Sequence, residues 1–581
     1  MQFRVKPNLY GTAWGAQMTL FGNYDYNVRS NGKGDTPHLA ILSALAEFTE
    51  RVQSFLPFPI ANYLPRLMLK PDLDKNHPEY QKWVDFNKIL KNETNNKTPA
   101  FEPFDTTFYK FYDVIENKEI YLDQSFLISP SNGRAAGNTY EEAVVMAITE
   151  VFERYTTRMV LLNNEAVPTI SLEFLSNDLQ EYINSITKDD FEVYIKDFSL
   201  GKGFPVVGML FGTSDVGYVL KSSSDLSLNR AVSRCLGDFF QNFDSVPHRL
   251  TNAAKKSHTM IQYYEQFREI LESEVSLQEL KANRFSSDSV YSPKELGFLA
   301  QDTDFDFETW DYSHNDFYNE LLQLIEFYKL NKYRLYVRDL GWLGFPTVMV
   351  YSPDLQQYKF SIYDRVAFFD KRVFPGEKVR KFRKALLQDE KAIFHPTILD
   401  ILRDPTFLYL FIFKRPESVG IMRGLPHVGT QLSSFNAWYF LGLLAFYFKD
   451  IHLSQKYFSC LLIDEPKNDF AKCAIEYLSS LPTNAWSGNR IDPQVIREVT
   501  VSLTHFPKEL LVGVLDTLSS TQTVKEILQP LIVPCPYYET TCVGCEHKDY
   551  CTYGKLSPIL QKLVKDKPDK LYFFTDPLSS P

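Results

Sequence analysis

The sequence predicts an α+β protein: a core built from two related halves about a pseudo-twofold axis, then an α-helical region, then a small Cys-rich tail. Three observations predict it. The chain repeats two of its own patterns at separations of about 100 to 140 residues, its composition turns helical beyond about Pro375, and four of its seven cysteines crowd together near the end. A chain of 581 residues is long enough for roughly two or three domains. The expected divisions are a catalytic core at 1–375, a helical region at 376–515 and a Cys-cluster segment at 516–581.

The first echo pairs SNGKG at Ser30 to Gly34 with SNGRAAG at Ser131 to Gly137. Each polar turn leads into an apolar helix-like run, LAILSALAEFTER and then EEAVVMAITEVFER, and each run ends in ExxER. The second echo pairs VYIKDFSLGKGFPVV, around Asp197 and Pro205, with LYVRDLGWLGFPTVM, around Asp339 and Pro346. In both, a β-branched strand-like run ends at Asp, and Gly-Phe-Pro precedes another such run. These separations exceed the roughly 20 to 50 residues of solenoid repeats and fit one duplicated domain. Between them, KNETNNKTP at Lys91 to Pro99 is polar and turn-rich and predicts a surface insertion.

Composition narrows the function classes. Hydrophobic residues make up 44% and charged ones 23%, as in soluble globular chains, and the net charge of −10 lacks the basic field that nucleic-acid binding requires. The longest uninterrupted apolar and aromatic stretch, Ala437 to Phe448, is too short to span a bilayer, and the amino terminus has no charged-then-apolar leader. A cytoplasmic protein without membrane or nucleic-acid partners is the expectation. The abundant rings, 46 Phe and 34 Tyr, suit large cores or a peptide-binding surface.

Residues three or four apart share a helix face, so Glu47 projects with Glu50 and Glu150 with Glu153, while Glu142 lies two turns before Glu150 on roughly the same side. Carboxylates on an apolar face repel one another and resist burial unless a cation joins them. Mg²⁺ takes oxygen ligands and keeps positions for phosphate oxygens. Arg51 and Arg154, directly after the last Glu of each run, either contact phosphate or pair with a carboxylate. A solvated helix end with internal ion pairs is the plain alternative for either run taken alone.

At this point SNGRAAGNTYEEAVVMAITEVFERY resembles the signature of the YcaO family, and SNGKG with AEFTER resembles the amino-terminal half of that family's ATP site. AVSRCLGDFFQ resembles a third family block, in which an Arg and a Gln flank a Thr-Glu pair; here these are Arg234 and Gln241, with Gly237 and Asp238 in place of the pair. The resemblance covers roughly residues 10 to 360. It implies a pseudo-twofold fold and an ATP site without a P-loop, and no GxxxxGK[ST] occurs. It also implies that Glu47, Glu50, Glu142, Glu150 and Glu153 bind Mg²⁺ and phosphate, and that Asn138, Arg154, Arg234 and Gln241 contact the nucleotide. Arg51 joins them as a phosphate or carboxylate partner and Lys33 as a further phosphate candidate, while Ser131 and Asn132 shape the turn.

The family chemistry implied is ATP-dependent attack on an amide carbonyl, phosphorylation of the oxyanion and loss of phosphate, giving an azoline or a thioamide. Amide oxygen is a poor leaving group, and phosphorylation makes it a good one. The partners implied are a peptide or protein substrate and a separate precursor-binding or sulfur-transfer protein; a homodimer stays open. Azoline-forming members end in a Pro-rich tail whose carboxylate enters the active site, and here Pro577 and Pro581 match loosely, so Pro581 is the candidate tail base. The group with a tetratricopeptide-type carboxy-terminal region, implicated in methylthiolation of a ribosomal protein, has the closest organisation. It supplies the alternative of a nucleotide-binding accessory protein that docks onto another enzyme.

In the helical region Trp438, Leu441, Gly442, Phe458 and Pro466 stand at the spacing of a single tetratricopeptide repeat. Beyond it, Cys535, Cys542, Cys545 and Cys551 give C-x6-C-x2-C-x5-C, with His547 inside. Four thiolates this close fit one metal centre, either a [4Fe-4S] cluster or a structural Zn²⁺. A four-iron cluster would turn anaerobically purified protein brown, and Zn²⁺ would leave it colourless. Metal analysis alongside the visible spectrum should find one of the two near stoichiometry, with loss in Cys545→Ser; finding neither metal returns these cysteines to the thiol pool.

Overall fold

A computed structural model describes residues 2–7, 14–21, 27–54, 108–123, 132–187, 191–240, 259–272, 278, 290–301, 303–341, 343–356, 399, 403, 437–482, 485–487 and 490–519. The Lys91 to Pro99 insertion, Ser131, Gln241, the four clustered cysteines and Pro581 lie outside them.

Both echoes have a structural counterpart. In the first, strand β3 (Asn27–Gly34) leads to helix α1 (Pro37–Gln53), and strand β6 (Arg134–Ala136) leads to helix α2 (Tyr140–Asn163). Each helix starts at a threonine in extended conformation: the hydroxyl of Thr36 accepts the Leu39 N–H, and that of Thr139 the Glu142 N–H, both at 3.2 Å. In the second echo, β7 (Glu192–Asp197) pairs with β8 (Val206–Thr213), and β11 (Tyr336–Asp339) with β12 (Thr347–Tyr351), both antiparallel. The two strands that end at Asp therefore each pair antiparallel with the strand that follows in its echo, β7 at the edge of one sheet and β11 in the middle of another.

Three of the four sheets among the described residues lie in this part of the chain, the fourth being a two-stranded pair of Trp486–Ser487 with Arg490–Ile491. A three-stranded sheet runs β1-β2-β3, with β1 at Gln2–Pro7 and β2 at Trp14–Phe21. A four-stranded sheet runs β10-β9-β8-β7, with β9 at Gly217–Ser224 and β10 at Val290–Tyr291. A five-stranded sheet runs β5-β4-β11-β12-β6, with β4 at Phe108–Asp113 and β5 at Lys118–Asp123.

Helix α2 is the spine. Ala143, Val144, Ala147, Ile148, Val151 and Phe152 are each 0% exposed, because one side packs on β12 and β6 and the other on β8 and β9. Strand periodicity sorts the side chains on either side of it. In β12, Val348 and Val350 face the α2 core, while Met349 and Tyr351 join Phe111 on the opposite face. In β8, Val206 and Leu210 face α2, whereas Val207, Met209 and Phe211 meet helix α3 (Asn177–Thr187) and helix α4 (Leu228–Phe240). Helix α5 (Phe317–Leu330) closes the α2 core with Leu321, Leu324 and Tyr328.

The helical region holds α6 (Ala437–Tyr447), α7 (Ile451–Asp464), α8 (Asp469–Ser480), α9 (Pro493–Ser502) and α10 (Lys508–Ser519) around a core of their own. Trp438, Leu441 and Phe458 are buried there, and Gly442 lets the Phe458 ring come within 2.7 Å of where a β-carbon would stand. Tyr263, Tyr264, Phe267 and Leu271, from far earlier in the chain, complete that core. Among the described residues no helix is long and apolar enough to cross a membrane.

Close approach of α1 to its strand depends on Gly32. A β-carbon there would lie 2.1 Å from the Ala40 carbonyl oxygen and 2.2 Å from the Ala44 nitrogen. Gly32→Ala should therefore cost about 2–3 kcal/mol of stability in urea denaturation, as overpacking does. Gly297→Ala, with nothing within 4 Å of the added carbon, should stay near wild type. Equal midpoints for the two variants would refute tight docking of α1.

Candidate functional site

The duplicated ExxER ends meet across a cavity of about 460 Å³. Helix α1 brings Glu47 and Glu50, α2 brings Glu150, Glu153 and Arg154, β6 brings Arg134, β3 brings Lys33, β9 brings Lys221 and Ser222, and α4 brings Arg234 and Asp238.

The first glutamate of each pair is tied into its own half. Glu47 Oε2 accepts the Asn31 N–H at 2.7 Å, and Glu150 Oε2 accepts the Gly133 N–H at 3.1 Å, so each SNG segment holds its own carboxylate. The first does so from its Asn within strand β3 rather than from the expected turn, the second from its Gly in the turn before β6. One helical turn on, Arg51 pairs with Glu47, and Arg154 with Glu150 at 3.6 Å. Both arginines thus stand against a carboxylate of their own helix. Arg154 also lines the cavity; Arg51 does not.

The second glutamates face the opposite half. Glu50 feels Glu150 and is offset by Arg134, whose Nη1 also donates to the Ser54 carbonyl at the end of α1 at 3.1 Å. Glu153 feels its neighbour Arg154 most, then Asp238, Lys33 and Arg234 across the cavity, and Ser222 Oγ donates to it at 3.4 Å. The basic residue after each SNG therefore serves the other half's acid.

Burial pushes all four carboxyls above the ordinary range, Glu50 to about 8 and Glu150 to about 7, with neighbouring carboxylates adding to the shift. Glu50 Oε1 is buried without a hydrogen-bond partner. A buried, unbonded carboxylate oxygen among other acids is what an added cation relieves. Among the described residues, though, no three His, Cys, Asp or Glu side chains converge closely enough to hold a metal by themselves. Mg²⁺ completes its shell with water and phosphate oxygens and takes few protein carboxylates.

Asp238, where the sequence departs from the Thr-Glu pattern, lies in the cavity and pairs with Lys33 at 2.5 Å. Lys33 Nζ also donates to the Arg234 carbonyl at 3.1 Å, and a β-carbon at Gly237 would come 3.0 Å from the Lys33 chain. The glycine makes room for the lysine. Asn138 and Glu142 are not among the lining residues: the Glu142 carboxylate accepts the Asn138 N–H at 2.7 Å and its Nδ2 at 3.0 Å, closing the amino end of α2. Sequence reasoning missed Arg134, Lys221 and Ser222. Only Arg134 had a signal, standing after SNG as Lys33 does.

Because the folded-state pKa values of Glu50 and Glu150 are raised, their contribution to stability is present below about 4.5 and lost as pH rises through about 7 to 8. Metal-free protein should therefore weaken between pH 5 and 8. Glu50→Gln should flatten that slope and gain about 1–3 kcal/mol at pH 8. Urea midpoints across this range decide it; parallel profiles for the two proteins would mean Glu50 is not strained.

Residues 31–356 match the family described as YcaO cyclodehydratase, ATP- and Mg²⁺-binding. An uncharacterised protein of Haemophilus influenzae is 23% identical over 364 residues, covering 56% of this chain and 57% of the relative. The Escherichia coli ribosomal protein S12 methylthiotransferase accessory factor YcaO is 22% identical over 356 residues, with the same two coverages. The match thus spans little more than half the length of these relatives. A solved structure of YcaO from Methanopyrus kandleri, bound with AMPPCP and Mg²⁺, is 18% identical with a TM-score of 0.36, over 60% of this chain and 84% of that one.

Proposed function

This chain belongs to the YcaO family, and from that membership we propose that it uses ATP and Mg²⁺ to activate a backbone amide of a peptide or protein, giving a thioamide or azoline-type product. The observation that carries the reading is the mixed lining of the cavity. Five acids, Glu47, Glu50, Glu150, Glu153 and Asp238, stand beside five bases, Lys33, Arg134, Arg154, Lys221 and Arg234. A simple anion would leave the acids strained, and a bare cation would be repelled by the bases. A triphosphate carrying its own cation answers both signs.

In this reading the four glutamates of the paired helices hold the cation side, and Arg154, Arg234 and Lys33 hold phosphate. Bound Mg²⁺·ATP supplies the phosphoryl group that turns the amide oxygen into a good leaving group. The chain's part is to position that nucleotide against the amide and to neutralise charge developing on oxygen. Arg51, Asn138, Glu142 and Gln241 remain nucleotide candidates by resemblance, and Pro581 the candidate tail base. The clustered cysteines would hold Zn²⁺ or a [4Fe-4S] cluster, and the tetratricopeptide-like helices would dock a partner protein.

A second reading is favoured by the name of the E. coli relative, an accessory factor for methylthiolation. There the nucleotide site would serve a chain that acts by docking onto another enzyme. Peptide-dependent ATP turnover separates the two.

Calorimetry with ATP in Mg²⁺ tests the shared premise. Glu150→Ala and Glu153→Ala should each lose about 1.5–3 kcal/mol of binding, the worth of one charge-assisted contact. Unchanged affinity in both folded variants would remove the site assignment.

A further inference from the structure

The charged chain that leads away from the cavity wall assigns a task to a residue outside the cavity. Arg230 and Arg234 lie one turn apart on α4, where like charges repel. Asp225, in the connection between β9 and α4, sits between them. Its Oδ1 accepts Arg230 Nε at 2.6 Å and the Ser227 N–H at 3.1 Å, and its Oδ2 faces Arg234 Nη1 at 3.7 Å. Arg230 is held from its far side by Glu320 of α5, at 2.7 Å, and the Glu320 side chain is only 2% exposed. Glu320 also accepts the His314 N–H at 3.2 Å, while Trp310 Nε1 donates to the Asp225 carbonyl at 3.1 Å.

Charges thus alternate along Glu320, Arg230, Asp225 and Arg234, and the buried end is the rigid one. Arg234 is the loose end: its side chain is 35% exposed, and among the described residues its Nε is buried without a hydrogen-bond partner and its Nη1 otherwise meets the weak acceptor Met146 Sδ at 3.0 Å. An arginine anchored so little by hydrogen bonds takes its orientation from charge.

We infer that Asp225 is the positioning residue for Arg234: it sets where the guanidinium stands in the cavity wall and transmits to it the fixed position of Arg230 and Glu320. Its value for ligand binding rests on the nucleotide reading above, in which Arg234 contacts phosphate. The plainer role for Asp225, stapling α4 to α5 through Arg230, would stabilise the fold without acting through Arg234.

A double-mutant cycle on the full chain separates these, with ATP in Mg²⁺ as the titrant and Asp225→Asn, Arg234→Ala and their combination as the proteins. Asp225→Asn should weaken ATP about tenfold, within the range for residues sharing one ion-pair network, and should cost less than about twofold once Arg234 is already Ala. A measurable loss of the same size in both backgrounds overturns the inference. A crystal structure of Asp225→Asn gives the reading independent of nucleotide: Arg234 displaced from the wall supports the inference, and Arg234 unmoved overturns it. If Arg234 moves while ATP binds every variant equally, the nucleotide role of Arg234 fails and the positioning role stands. Should Asp225→Asn not fold, Glu320→Gln enters the same cycle and the same structural comparison, with additivity or an unmoved Arg234 again overturning the inference.

Discussion

Four carboxylates brought together from two facing helices, near the carboxyl end of α1 and midway along the buried α2, are the constraint around which the rest is arranged. Left alone they would drive the helices apart, since burial and mutual repulsion both act against their ionised forms. The protein offsets this locally with backbone N–H groups of the two SNG segments on Glu47 and Glu150, with an arginine one turn along each helix, and with a basic residue from the opposite half. The sheets exist to hold these pieces still. Helix α2 is packed on both sides by strands, and α1 is pressed so tightly on β3 that only glycine fits between them. Even so, one oxygen of Glu50 stays unbonded, which leaves a residual strain for a ligand to relieve.

Much of this was legible in the sequence because the duplication preserved spacing. From each capping threonine to the ExxER pair the distance is the same, so Thr36, Glu47 and Glu50 correspond to Thr139, Glu150 and Glu153. Helix periodicity then suffices to put each glutamate pair on one face. The strand echoes were legible for a similar reason, since alternating β-branched residues ending at Asp197 and Asp339 carry a period of two.

What could not be read was set by contacts between distant segments. Lys221 and Ser222 reach the cavity because β9 runs beneath α2, and no local pattern marks a strand's polar residues as cavity-facing. The clustered aromatics at 263–271 complete a core whose other members begin at 437, a pairing that periodicity cannot announce. Glu142 illustrates a competition between two rules. The Thr-x-x-Glu spacing at Thr139 marks a helix start as clearly as the helix face marks a ligand, and in the structure its carboxylate is engaged at that start, outside the cavity lining.

The exchanged cations reach further than the charge balance. Lys33 of the first half answers Glu153 of the second, and Arg134 of the second answers Glu50 of the first. Contact of one residue with another, repeated with the labels reversed, is the rule of an isologous interface between identical subunits. The two strand–helix units, β3–α1 and β6–α2, therefore face each other across the cavity as two protomers joined in one chain would. Fusion frees such halves from having to stay identical. The extra pair Ala135-Ala136 after the second SNG, and the pairing of Asp238 with Lys33, are asymmetries that a symmetrical pair of separate subunits could not have kept.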